Sequence, residues 1–196
     1  APLTITITGI DDAPVLSATG DDPLFSEGGS AVTLFSGVSV DTVEASQTVS
    51  GLTFEVTNVT DSGDEFIIID GATISLVNSA SGSTNDFSYN VTVVGSTATV
   101  VLSGASASAA DVQADIAAMA YENTSSTPTD ADRTVTITQL VDSGVTSGGG
   151  ENTSALSISS IVNVEPAAPP VNTVPGTQTV DEDTPLVITG ISVNDL

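Results

Sequence analysis

The chain has 196 residues, with 25 acidic side chains, one basic side chain, and neither histidine nor cysteine, so its formal net charge is −24. A surface with this charge repels phosphate backbones and anionic lipid, which excludes nucleic acid and membranes as partners, and no apolar run approaches the about 20 residues of a membrane span. Without histidine, cysteine or lysine, the chain also lacks the groups of a Ser-His-Asp triad, a thiol nucleophile, a usual zinc site or a Schiff base.

The composition nevertheless predicts a folded chain. Hydrophobic residues make up 39% of it, and Val, Ile, Leu and Thr recur throughout. Because crowded carboxylates repel one another, we expect a divalent cation to condense on them. The absence of cysteine, together with the acidity, favours an extracellular chain that does not rely on disulfides. The first ten residues carry no positive charge and no signal-peptide pattern, so we expect an interior fragment of a longer protein.

Alternation of β-branched and polar residues predicts strands along most of the chain. The clearest alternation occurs in residues 3–8, 52–56 and 133–138. Clusters of Gly, Ser, Asn and Asp separate the strand candidates, and this spacing predicts an antiparallel β-sandwich. In chain order, the further candidates are Ala31–Phe35, Phe66–Ile69, Thr73–Val77, Tyr89–Val94, Thr97–Leu102, Leu156–Val164 and Leu186–Ile191.

One segment has helical rather than strand periodicity. Ser108 and Asp111 have the spacing of a capping box, and Val112, Ile116 and Met119 then recur at helical intervals through alanine-rich sequence. We therefore expect one short helix, about 109–120, packed on the sandwich. The glycine-rich stretch 147–150 is too short for an interdomain linker and is interpreted as a long hairpin loop.

An internal repeat divides the chain. Residues 26–32 align with 181–187, and residues 37–41 align with 190–194. Just upstream of each copy, a strand ends in an acidic turn and a proline. Arrays of repeated domains form rods or stalks. We expect 1–12 to be the last strand and junction of one repeat, 13–165 a complete β-sandwich, and 166–196 the junction and opening strands of the next.

Three segments resemble a known family. Residues 9–15 resemble the interdomain junction of the cadherin-like tandem repeats of giant bacterial surface proteins, including repeats-in-toxin adhesins, and residues 121–128 and 180–186 resemble other recurrent motifs of the same proteins. The resemblance implies an immunoglobulin-like or cadherin-like sandwich whose junctions bind calcium. It also implies secretion by a type I system and a place on the bacterial cell surface. The sequence at 163–166 departs from the Asn-Asp-Ala-Pro form of such junctions, which implies weaker calcium binding there.

Calcium takes six to eight oxygen ligands, which suits a chain rich in Asp and Asn. In a sandwich the loops gather at two ends, so distant acidic residues can meet at one pole. With strands in immunoglobulin order, two groups of candidate ligands follow, and the alternative for each residue is a solvated loop acid. The upper-pole group is Asp11, Asp12, Asp41, Glu44 and Asp142, and the lower-pole group is Glu27, Asp130, Asp132, Asn163 and Glu165, joined by Asn194 and Asp195.

Other charged features have simpler interpretations. The acidic runs 21–23 and 61–65 lack the twelve-residue pattern of an EF-hand and are interpreted as ordinary turns, because Asp, Ser, Gly and Pro form turns. Arg133, the single basic residue, is interpreted as an internal clamp on a neighbouring acid.

The leading function is mechanical: the chain is a spacer that calcium stiffens at the junctions, and its partners are neighbouring repeats of the same polypeptide. The alternative is a module that itself binds a glycan or a protein. The chain has only two Tyr, five Phe and no Trp, and we expect Phe54, Phe66 and Tyr121 in the core rather than in a binding surface. A glycosidase would need a cleft, which nothing in the sequence indicates. We also expect the incomplete end segments to pair between molecules, because they expose strand edges, or else to stay disordered or lie on the central repeat.

Overall fold

The computed structural model describes residues 9–194, and these residues are all-β with one α-helix, which confirms the predicted fold class. The immunoglobulin-like or cadherin-like type stays a prediction. No helix in the described part of the chain has the length and apolar character that a bilayer crossing requires. The elements are β1 (Val15–Gly20), β2 (Leu24–Ser26), β3 (Val32–Thr33), β4 (Phe35–Asp41), β5 (Val49–Val56), β6 (Glu65–Ile69), β7 (Ala72–Ser75), β8 (Ser81–Ser83), β9 (Ser88–Val94), β10 (Thr97–Ala107), α1 (Ala109–Ala117), β11 (Ala120–Asn123), β12 (Arg133–Asp142), a 3-10 turn (Ser147–Gly149), β13 (Thr153–Glu165), β14 (Val171–Thr173) and β15 (Ser192–Asn194).

Three sheets build the main body. The largest has seven strands in the order β2-β13-β12-β5-β10-β9-β8, the second has four in the order β3-β11-β6-β7, and β1 pairs with β4. The pairs are antiparallel except for β2 with β13, which run parallel. Within residues 9–194, strands β14 and β15 pair only with each other.

One hydrophobic core joins the three sheets and the helix, which is the arrangement of a β-sandwich. Alternation places Phe54 and Val56 of β5 in this core, where both are fully buried. Phe25 and Tyr121 meet edge to face, with ring centroids 5.6 Å apart. The expectation for Phe66 is wrong, because the alternation of β6 turns its neighbour Ile67 to the core and leaves Phe66 only half-buried.

The predicted helix is present and ends slightly earlier than expected. Ser108 caps it by accepting a hydrogen bond from the Asp111 amide over 3.1 Å, as the capping-box pattern predicts. Val112 and Ile116 are buried, and the helix packs on β4. Asp115, next to Ile116 on the helix, is half-buried.

A tight hairpin connects β6 and β7. Ile69 pairs with Ala72, so Asp70 and Gly71 form a two-residue turn in which both have positive φ, 46° and 70°. An Asp-Gly turn of this kind is favoured because it matches the right-handed twist of the flanking strands. The turn holds the Asp70 side chain beside the loop before β9, where Thr84 and the amide of Asp86 bind it.

Most of the remaining predicted strands are present. The exception is Leu186–Ile191, which is not a strand: the strand in this region is β15, at 192–194, where the backbone finds β14 as a partner. The predicted strand at residues 3–8 lies outside the described residues. The glycine-rich stretch 147–150 does lie in the loop that joins the paired strands β12 and β13, as predicted.

Candidate metal centres

The upper pole is the end of the sandwich where residues 9–14 meet the loops 42–48 and 143–152. An open groove of about 450 Å³ lies between these three segments. It is lined by side chains from all three, so the incoming segment forms one wall and the body of the sandwich forms the others. The lining residues are Gly9, Ile10, Asp11, Glu44, Ser46, Gln47, Ser143, Gly144 and Val145.

Asp11 is fixed in this groove by contacts with the body. The side-chain amide of Gln47 donates to Asp11 Oδ1, and the Glu151 amide donates to the Asp11 carbonyl oxygen over 3.0 Å. A Cβ at Gly144 would overlap the Asp11 carboxylate, and a Cβ at Gly150 would lie 2.7 Å from the Asp11 Cβ. Two glycines therefore leave the room that the Asp11 side chain occupies.

Asp142, the last residue of β12, precedes the groove-lining Ser143 and is only 1% exposed. Its Oδ1 accepts a hydrogen bond from the Gly144 amide over 2.8 Å. Burial raises the pKa of Asp142, the Gly144 bond lowers it in part, and the negative charges of Asp11 and Glu44 raise it further. The three carboxylates are thus close enough to repel one another, and no basic side chain adjoins them.

Four buried oxygens of the upper pole have no hydrogen-bond partner. A buried acceptor without a partner costs about 1–3 kcal/mol, and more when it is charged. The cost disappears if a cation binds the oxygens, and a donor set made only of oxygen suits a hard divalent cation. The four atoms are Asp11 Oδ2, Glu44 Oε2, Gln47 Oε1 and Asp142 Oδ2.

The structure therefore brings together Asp11, Glu44 and Asp142 of the predicted upper-pole group. Asp12 contributes its backbone amide, which donates to Glu44 Oε1 over 3.2 Å, while its own side chain is exposed. Asp41 accepts a hydrogen bond from the Val43 amide over 2.9 Å, a local turn within its own loop. Sequence reasoning missed Gln47 because an uncharged amide does not stand out among carboxylates.

The lower-pole residues at the end of β13 form a backbone contact. The Glu27 amide donates to the Glu165 carbonyl oxygen over 2.9 Å, and Glu27 Oε2 accepts from the Ala167 amide over 2.8 Å. Asn163 and Glu165 are exposed on β13, where the strand pairs with β2.

Asp130 and Asp132 lie in the loop before β12. Asp130 is exposed, and the carbonyl oxygen of Asp132 accepts from the Asn58 side-chain amide over 2.9 Å. Arg133 pairs with Val162 on β13, so this loop leaves the sheet at the same end as Glu165. A shared cation at the lower pole stays a prediction.

Arg133 is the predicted internal clamp, and it is fully buried. Its guanidinium binds Glu65 Oε1 at 2.5 Å and Asp61 Oδ2 at 2.8 Å, and it also donates to the carbonyl oxygens of Thr129 and Ala131. The interpretation of 61–65 as an ordinary turn holds for its backbone but is wrong for its side chains, because Asp61 and Glu65 are ion-pair partners rather than solvated acids.

A second acidic group, which we call the triad, consists of Asp70, Asp86 and Asp115. Within residues 9–194 it is the one set of three carboxylates whose oxygens all lie within 4.8 Å of one another, and it can hold a metal ion. Asp70 is buried, and its Oδ2 accepts from Thr84 Oγ1 at 2.5 Å and from the Asp86 amide at 2.8 Å. Burial, followed by the charges of Asp70, Asp86 and Asp111, raises the pKa of Asp115 to about 6.

The sequence gives little sign of the triad. Its members come from the β6–β7 turn, the loop before β9 and α1, and only the packing of these three elements brings them together. The upper-pole carboxylates are spread more widely than those of the triad. No protein-family model matches the chain, and no curated protein matches it.

Proposed function

We propose that the chain is a structural repeat of an extracellular bacterial adhesin of the cadherin-like kind that its sequence resembles, and that calcium at the upper pole stiffens it. The observation that carries the proposal is the set of four buried oxygens without partners in Asp11, Glu44, Gln47 and Asp142. A net charge of −24 on an all-β body favours the binding of cations, and the unpartnered oxygens of the groove support it as a binding site.

Calcium suits this groove better than other common ions do. The donors are carboxylate and amide oxygens, with no nitrogen or sulfur ligand in the sequence that would favour zinc. Calcium accepts irregular sets of six to eight oxygens and completes its shell with backbone carbonyls and water, whereas magnesium demands near-octahedral geometry at shorter distances. An open groove with widely spread carboxylates fits the larger, more adaptable ion.

The position of the ligands explains why calcium would act mechanically. Asp11 belongs to the segment that enters the sandwich, whereas Glu44, Gln47 and Asp142 belong to its body. A cation bound by both parts ties the incoming segment to the body and limits the angles it can adopt. Without the cation, repulsion between Asp11 and the carboxylates of the body favours separation.

The aromatic residues support a spacer over an adhesive module. Phe25, Phe35, Phe54, Phe87 and Tyr121 are all at most 3% exposed. Binding surfaces for glycans and proteins rely on exposed aromatic side chains. Here the core uses most of the few aromatics that the chain has.

The experiment is a calcium titration of the full chain, followed by thermal unfolding and by NMR of the Gln47 side-chain amide and the Gly144 backbone amide. An ion that binds only the folded state adds about 2.7 kcal/mol at a hundredfold excess over Kd, so the melting temperature should rise and EGTA should reverse the rise. Saturable shifts of the two amide signals would place the ion in the groove.

Matched variants test the ligand set. Asp142→Asn and Asp11→Asn should weaken the calcium-induced shifts of the Gly144 amide, while Asp64→Asn removes one charge from an exposed loop and should leave them unchanged. A calcium titration that moves neither the melting temperature nor the groove amides would overturn the proposal.

A further inference from the structure

Strands β14 and β15 repeat the pairing of β1 and β4. The sequence at 190–194 resembles that at 37–41, and the structure now shows that the strand register agrees as well. In each pair, the same three positions of the first strand meet the same three positions of the second. The pairs are Val15–Asp41, Leu16–Val40 and Ser17–Ser39 in β1–β4, and Val171–Asn194, Asn172–Val193 and Thr173–Ser192 in β14–β15.

This register fixes which residues of the two joints correspond. We call residues 9–14 the first joint and residues 165–170 the second joint. Since Val15 corresponds to Val171, Pro14 corresponds to Pro170, and Asp11 corresponds to Ala167. The position that places a carboxylate in the upper-pole groove at the first joint therefore carries a methyl group at the second.

The second joint is held by different contacts. The Ala167 amide donates to Glu27 Oε2 over 2.8 Å, and the Glu165 carbonyl oxygen accepts from the Glu27 amide over 2.9 Å. Among the described residues, none of the buried oxygens without partners belongs to Glu27 or to the second joint. All six residues of this joint are exposed, and Glu27 is the contact that the body of the sandwich supplies to it.

We propose that the two joints differ in kind. A bound cation holds the first joint, whereas hydrogen bonds to Glu27 hold the second, which does not respond to calcium. The inference rests on the proposed function, because it assumes calcium at the first joint. Along the chain, calcium would then stiffen the entry to the sandwich and leave the exit as a hinge.

Hydrogen exchange of single amides, followed by NMR on the full chain with calcium and with EGTA, tests this difference. The reporters are Asp12 and Glu151 at the first joint, whose amides bind Glu44 and Asp11, and Ala167 at the second, whose amide binds Glu27. At a hundredfold excess of calcium over Kd, openings that release the ion should become up to about a hundredfold rarer, so Asp12 and Glu151 should exchange more slowly. The exchange of Ala167 should stay the same.

The variant Glu27→Ala supplies the matched control, since it should speed the exchange of Ala167 equally with and without calcium. Slower exchange at Ala167 on addition of calcium, in parallel with Asp12, would overturn the inference and leave the proposed function intact. No change at any of the three amides would overturn the proposed function and this inference with it.

A second measurement uses the absence of cysteine, which allows unique spin labels at introduced cysteines. Labels at Ser157→Cys on β13 and Thr173→Cys on β14 report the distance across the second joint. We expect the same broad distribution with calcium and with EGTA. A distribution that narrows when calcium is added would contradict the inference.

Discussion

Arg133 shows how much a single residue can do in this chain. It is the one basic side chain beside 25 acidic ones. Because it is fully buried, it does not offset the negative charge at the surface. Its five donors bind two carboxylates, the Thr60 hydroxyl and two carbonyl oxygens. A planar guanidinium can satisfy so many acceptors at once, which an ammonium group cannot.

The pH dependence of stability tests the Asp61 part of this cluster. Burial raises the pKa of Asp61, but hydrogen bonds from Thr129 and Asn123 and the charge of Arg133 outweigh burial and hold it below its ordinary value of 3.8. A lowered pKa stabilises the fold above the unfolded pKa, and the stabilisation is lost as pH falls through the folded pKa. Asp61→Asn should therefore cost about 1.5–3 kcal/mol at neutral pH.

Urea unfolding measures this difference across the pH range. The gap in free energy of unfolding between the wild type and Asp61→Asn should shrink as pH falls below about 4, because the wild-type carboxylate then also becomes neutral. Asp64→Asn, in the exposed part of the same turn, should have little effect at either pH. If the difference in free energy of unfolding between the two proteins does not change with pH, Asp61 stabilises the fold through its shape rather than through its charge.

At the scale of elements, α1 contributes to both the core and the triad. Val112 and Ile116 are buried in the core, while the half-buried Asp115 brings a carboxylate to the triad. Because the folded pKa of Asp115 is raised to about 6, its charge costs stability once pH rises from about 4 through that value. A cation at the triad would remove the cost.

The variant Asp115→Asn tests, with and without calcium, whether the Asp115 charge costs stability and whether a cation removes that cost. With EGTA at neutral pH, it should melt at a higher temperature than the wild type, because it removes repulsion from Asp70 and Asp86. With calcium it should gain less than the wild type, since the triad has lost a ligand. Asp64→Asn, which neutralises an exposed loop acid outside all three acidic groups, is the control. An equal gain from calcium in both proteins would exclude the triad as a site.

Local patterns predicted the elements, and long-range packing decided the site. The capping box at Ser108 and the alternation in β5 and β12 are local signals, so the helix and these strands could be predicted. Leu186–Ile191 has a strand pattern but gains no partner, because pairing depends on a neighbour that the local sequence does not contain. Asp11, Glu44 and Asp142 were found because loops of a sandwich gather at its ends, whereas the triad depends on how three elements pack.

At the scale of the whole molecule, some carboxylates are neutralised by an ion pair and others are not. One ion-pair cluster is internal and complete, with Arg133 bound to Asp61 and Glu65. The upper pole and the triad instead hold carboxylates close to one another with no basic side chain beside them. We therefore expect stability to depend on the ionic composition of the surroundings, because cations from solution would offset the repulsion at these two places.

The burial of Arg133 has a consequence for digestion by trypsin, which cuts only after Lys or Arg. The chain offers one such bond, between Arg133 and Thr134, and the strand that holds it is paired on both sides, with β13 and with β5. The native protein should resist trypsin until this strand is released, and digestion should then give only two fragments, 1–133 and 134–196. When refolding is faster than cleavage, the rate of cleavage is proportional to the fraction of molecules in which β12 is released. Calcium at a hundredfold excess over Kd should therefore slow cleavage by up to about a hundredfold. Rapid cutting of the native protein would contradict the buried position of Arg133. If cutting is slow, the intensity of the band of either fragment on a gel reports the fraction of molecules that have unfolded.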